Sequence, residues 1–163
     1  MTNRNDSMEK EFENLIHEKQ RIIYKICKTY RDSREDQEDL FQEIVYQLWK
    51  SFPSFKGESK ISSWMYRIAL NTAIAIYRKQ KLRVDYMDKM PEQIHSDVPQ
   101  QVSENEERMF RALRTLNDTE KALISLFLEG FSYQEIAAIT GITETNTGVR
   151  LNRIKNKLKQ ILK

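Results

Sequence analysis

Cysteine occurs once in this chain, histidine twice, proline three times and glycine four times in 163 residues. A lone cysteine closes no internal disulfide, and the neighbours Ile23, Ile26 and Tyr30 make Cys27 a buried thiol before a redox sensor. His17 and His95 have no cysteine, carboxylate or second histidine at metal-ligand spacing, and no nucleophile–base pair is visible. No catalytic residue, metal site or cofactor is therefore expected. Long apolar runs are also missing, and the N-terminal stretch "MTNRNDSMEKEFE" has no apolar signal core. Together with the single cysteine this predicts a cytoplasmic protein. Period-two alternation bounded by turn residues does not occur, while Leu, Ile, Lys, Glu and Gln are abundant, so the prediction is an all-α chain.

Charge is present in quantity but is segregated. The net charge of +3 says little by itself. Between positions 35 and 49 every charged residue is acidic: Glu35, Asp36, Glu38, Asp39 and Glu43. Between positions 61 and 83 every one is basic, as it is from position 148 to the end. One acidic and two basic helices predict two polyanion contacts and a separate basic partner.

Apolar residues at three- and four-residue steps outline the elements. Phe12, Leu15, Ile16, Ile23, Ile26 and Tyr30 predict a helix from about Met8 to Tyr30, broken by "RDSRED", where Ser33 or Asp36 can cap the next. A second helix, about Asp36 to Lys50, carries Leu40, Phe41, Ile44, Val45, Leu48 and Trp49 on one face. "SFPSFKGESK" reads as a loop, and a third helix is expected from about Ser62 to Arg83, burying Trp64, Met65, Ile68, Ala69 and Ile76. These helices predict a three- to four-helix bundle over residues 1–83. Residues 84–104, with Pro91, Pro99 and an excess of acid, predict a flexible linker.

The remaining residues, 105–163, predict a second small helical domain. Asn117 or Asp118 caps one helix, which stops at Gly130. "SYQE" is a capping box in which Ser132 and Glu135 exchange hydrogen bonds, and the short helix it opens halts at Gly141. The next helix begins around Thr143 and buries Thr147, Leu151, Ile154, Leu158 and Ile161. Two helices joined by "TGIT", with small Ala137 at the crossing, form a helix-turn-helix. The second helix then shows Glu144, Thr145, Gly148, Asn152 and Lys155, with Arg153 beside them, to a major groove. Small polar residues at its tip admit base edges, and the trailing cations hold phosphates.

The stretch "LRTLNDTEKALISLFLEGFSYQEIAAITGITETNTGVRLNRIKNKLKQIL" resembles region 4 of bacterial extracytoplasmic-function (ECF) sigma factors, and "DLFQEIVYQLWKSFPSFKGESKISSWMYRIALNTAIAIYRKQ" resembles region 2 of the same family. The resemblance implies an initiation factor of the sigma-70 family that binds core RNA polymerase, reads −10 and −35 promoter elements, and performs no covalent chemistry. It implies that Asp36, Asp39, Leu40, Gln42, Glu43 and Leu48 form the polymerase-docking surface, which fits an acidic helix steering toward a basic partner. It places Asn71 on the −10 strand, with Tyr66, Arg67, Tyr77, Arg78 and Lys79 as surface candidates, since rings stack on bases and cations follow the backbone. The loop before Ser62 corresponds to one that cages a flipped base.

In region 4 the implied −35 readers are Glu144, Thr145, Asn146, Gly148, Val149, Arg150, Asn152, Arg153 and Lys155. Here the chain departs from the family: "TNTGVRLNRI" replaces a basic residue with Gly148 and a small polar one with Val149. Glycine costs a helix interior up to about 1 kcal/mol relative to alanine. One expectation is that Gly148 lets the backbone approach DNA while Val149 touches a thymine methyl; another is that Asn146 and Asn152 do most of the base reading. The family also implies an anti-sigma factor as partner, without membrane insertion of the chain. The competing possibilities are a stand-alone helix-turn-helix regulator whose N-terminal bundle dimerises or senses, and an enzyme acting on nucleic acid, for which the residues offer no site.

Overall fold

The computed structural model describes residues 2–75 and 103–163, and all of their regular structure is helical. Helix α1 spans Thr2–Tyr30, longer at its start than the apolar spacing predicts. It ends at the polar break, and Ser33 caps α2 (Arg34–Ser51) by accepting from the Asp36 amide. A 3-10 turn, Phe52–Ser54, carries Pro53 where no backbone donor is needed. Helix α3 runs over Ile61–Ala75. The predicted continuation to Arg83, with Ile76, Tyr77, Arg78 and Lys79, lies outside the described residues, as do most of the linker and His95.

The second half begins at Ser103, which caps α4 (Glu104–Arg114) through the Glu106 amide. Asn117 and Glu120 form a capping box on α5 (Asp118–Leu128), and Ser132 and Glu135 form the expected one on α6 (Tyr133–Thr140). Gly130 and Gly141 take φ of 91° and 80°, left-handed values that a side chain disfavours, so each helix can stop and turn within two or three residues. Thr143 caps α7 (Glu144–Ile161) through the Asn146 amide.

Phe12, Ile23, Leu40, Ile44, Leu48 and Met65 fill the centre of the α1–α3 bundle without exposure. Leu123, Leu126, Ile136 and Leu151 do the same between α5, α6 and α7. The predicted stripe of α7 holds at Thr147, Leu151, Ile154 and Leu158, but Ile161 is exposed at 44%, and Leu162 packs against the core in its place. Trp64 is half-buried rather than central. It stands in an aromatic row, 5.0 Å from Phe55 and 6.3 Å from Phe52, which in turn packs at 5.3 Å on Phe12. This row pins the loop after α2 to the bundle.

The two halves are packed together, and their apolar cores join into one cluster. Lys28 of α1, nearly buried, donates to Glu107 of α4 at 3.0 Å, and Arg114 joins the same carboxylate at 3.1 Å. Arg114 Nε also donates to the Lys28 carbonyl at 2.8 Å, and the Tyr30 hydroxyl donates to the Asp118 carbonyl at 2.9 Å. Lys25–Glu129 and Lys60–Glu135 pairs sit at the edge. Burial of Lys28 without Glu107 would leave a desolvated charge, so these pairs fix where the halves meet.

Candidate nucleic-acid and polymerase interfaces

Helix α2 turns its acidic residues outward and its leucines inward. Asp36 and Asp39 are exposed and Gln42 half-exposed, whereas Leu40 and Leu48 are at 0% and Glu43 at 9% exposure. The expectation that Leu40 and Leu48 anchor a partner thus meets an obstacle: both are consumed by the bundle core. The Glu43 carboxylate accepts from Gln47 at 3.3 Å within the helix. The surface α2 offers is Glu35, Asp36, Glu38, Asp39 and Gln42, of which Glu35 and Glu38 were legible only as part of the acidic run. Arg34 pairs with Glu38 at 3.2 Å in an exposed i,i+4 geometry, a contact of little energetic weight.

On α3, Arg67 and Asn71 are exposed, four residues apart on one face. Tyr66 is not: at 2% exposure it lies under the second half, its ring 5.4 Å from that of Phe131 and nearly perpendicular to it. Burial, with the Glu129 carboxylate beside it, raises the Tyr66 phenol well above its ordinary pKa, so it stays neutral. Arg67 and Asn71 line a cleft of about 150 Å³ whose other wall is Thr119, Ala122, Ile139 and Thr140. In this arrangement the strip expected to read −10 DNA faces the other half of the same chain.

The helix-turn-helix has the predicted caps, and its second helix exposes Glu144, Thr145, Val149, Arg150, Asn152 and Arg153, with Asn146 half-buried. Val149 is 44% exposed. Among the described residues Arg150 and Arg153 form no ion pair, and both line an open groove of about 610 Å³ that also takes in Asn117, Asp118 and Thr119 at the start of α5. Two exposed guanidinium groups, with Asp118 and Glu120 on the opposite wall of the groove, suit a backbone phosphate on the Arg150–Arg153 side. Lys157, by contrast, is held by Glu120 at 3.2 Å.

Two of the expected readers stand differently. Gly148 is turned toward α6: a Cβ built there would lie 3.4 and 3.5 Å from the Tyr133 ring. Lys155 points the same way, its ammonium 3.9 Å from the Phe127 ring centroid and 3.5 Å from the Tyr133 hydroxyl. The outward face of α7 is therefore offset by about one residue from the sequence-based expectation, and it brings Asn156, which the sequence did not single out, into line with Asn152 and Arg153.

No described helix is long and apolar enough to cross a membrane. Residues 15–83 match the family Sigma-70 region 2, and residues 106–158 match Sigma-70, region 4. The ECF RNA polymerase sigma factor EcfG of Rhodopseudomonas palustris is 31% identical over 127 residues, spanning 77% of this chain and 70% of its own length. The ECF RNA polymerase sigma-E factor of Haemophilus influenzae is 32% identical over 148 residues, 80% of this chain and 78% of its own. The sigma factor RpoE of Bartonella quintana, solved in complex with the anti-sigma factor NepR, superposes with a TM-score of 0.71 at 25% identity, covering 94% of this chain and 97% of that one. Two family regions in the same order, on a fold shared along nearly its whole length, place the chain in the sigma-70 family of RNA polymerase sigma factors, within the ECF group.

Proposed function

We propose that the three charged helices divide the work of promoter-specific initiation as follows. The exposed acids of α2, Asp36 and Asp39 with Gln42 beside them, dock the chain on a basic surface of core RNA polymerase; opposite charge accelerates encounter and fixes orientation. Arg67 and Asn71 of α3, with the basic residues that follow, take the −10 strand. The outward face of α7 takes the −35 duplex, with Arg150 and Arg153 on phosphates and Val149 and Asn152 toward base edges. The chain stabilises an opened promoter by binding and makes or breaks no covalent bond, and it acts in the cytoplasm.

The observation that carries this division is the opposition of exposed charge. Asp36 and Asp39 are exposed on α2, while Arg150 and Arg153, without an ion pair among the described residues, are exposed on α7, on opposite halves of one chain. The packed arrangement is its resting form: Tyr66 lies under Phe131 and the Arg67–Asn71 strip faces α5 and α6, so reading DNA with α3 requires the halves to part. An anti-sigma factor that holds the halves together, as NepR accompanies RpoE in Bartonella quintana, is the partner that fits.

The test is binding of core polymerase with and without charge reversal on α2. Asp36→Lys/Asp39→Lys should weaken assembly with core while leaving the fold intact, as read by helicity. Unchanged assembly would remove α2 from the interface.

A further inference from the structure

The second helix of the helix-turn-helix carries one contact that base reading does not account for. Gly148 sits mid-helix, where glycine is unfavourable, and is only half-exposed. A ring packs beside it: the Cε2 and Cδ2 atoms of Tyr133 would stand in ordinary contact, 3.4 and 3.5 Å, with a Cβ at this position. Tyr133 is the first residue of α6, so its ring lies across from the helix it opens onto the flank of α7. Its hydroxyl reaches Lys155 at 3.5 Å, and Phe127 of α5 closes the group, with its ring 6.4 Å from that of Tyr133 and 3.9 Å from the Lys155 ammonium. Three helices thus meet at one ring, and a cation of the recognition helix is drawn into the meeting point.

Resting on the assignment of α7 to the −35 duplex, we propose that Tyr133 is a positioning residue for DNA reading. Seated against the backbone at Gly148, with its ring beside Phe127 and the Lys155 ammonium, it sets the roll of α7 about its axis. The edge from Gly148 to Lys155 is thereby closed to DNA, and the strip Thr145, Val149, Asn152, Arg153 and Asn156 is the one that meets the duplex. The flank of Gly148 faces the Tyr133 ring and not DNA. Lys155 belongs to the aromatic group and contacts no phosphate.

A residue that contacts a phosphate betrays itself in salt dependence, because each neutralised phosphate contributes about 0.9 to the slope of log K against log salt. The experiment measures promoter binding by the full chain with core polymerase over a range of salt. Lys155→Met should leave the slope unchanged, and Arg153→Met should reduce it by about 0.9. A fall of that size for Lys155→Met overturns the proposal, whereas no fall for Arg153→Met overturns the −35 interface on which it rests. The second arm compares −35 variants that differ at single base pairs. Tyr133→Ala should flatten discrimination among them by about tenfold, the scale of one lost base contact, and Tyr133→Phe, which keeps the ring on Gly148, should retain it. Equal weakening on every −35 variant would show Tyr133 to be a packing residue only and would also overturn the proposal.

Discussion

Tyr66 and Phe131 meet edge to face, ring centroids 5.4 Å apart, one from α3 in the first half of the chain and the other from the turn between α5 and α6 in the second. Tyr66 is 2% exposed there, so the two halves cover one another at this point. Opening the chain must break the contact, and an aromatic pair of this kind is worth about 0.5–1.5 kcal/mol beyond the area it buries.

Phe131→Ala should therefore shift the free chain toward separated halves. A donor–acceptor dye pair, one on α2 and one on α7, should report a longer mean distance in the variant. An unchanged distance would mean that other contacts alone hold the halves together.

Acid should loosen the same junction. The hydrogen bond from Lys28, followed by that from Arg114, holds the Glu107 carboxyl below its usual pKa. A lowered pKa in the packed form means that Glu107's contribution is complete above the ordinary carboxylate range and is lost as pH falls through the lowered value. The distance between dyes should rise on acidification, and Glu107→Gln should remove that share of the pH response. Lys25–Glu129 and Lys60–Glu135 cross the same junction.

Leucines and aspartates of α2 should separate cleanly by phenotype. Leu40→Ala removes a side chain with no exposure and should cost about 2–5 kcal/mol of stability in urea unfolding. Asp39→Asn should leave the unfolding midpoint near that of the unmodified chain and slow association with core polymerase, an effect that fades at high salt.

Gly141→Ala places a side chain on a backbone at φ 80° and should destabilise by about 1 kcal/mol, with the loss seen in urea unfolding. Ser132→Ala removes one arm of the capping box on α6 and should cost about 1 kcal/mol.

The local structure was legible because it is local. Ser33, Asn117, Ser132, Gly130, Gly141 and Thr143 act within a few residues of themselves, and each stands where its chemistry required. What depends on a neighbour from elsewhere in the chain was not legible. Nothing in the spacing of α3 says that Tyr66 faces Phe131, sixty-five positions away, or that a linker of this composition joins halves that pack together. Leu40 and Leu48 read correctly as an apolar stripe, but a stripe can serve the core or a partner, and only burial decides between them. On α7 a helical wheel gave the exposed face to within one residue. That residue matters, because Gly148 and Lys155 turn toward α5 and α6 while Val149, already expected among the readers, and Asn156, which was not, face outward.

The most direct measurement is run-off transcription with core polymerase on genomic fragments, with start sites mapped in the presence and absence of the chain. Start sites that appear only when the chain is added, preceded by common −10 and −35 elements and lost on reversing Asp36 and Asp39, are the predicted result. A start-site map that is the same with and without the chain would contradict the account.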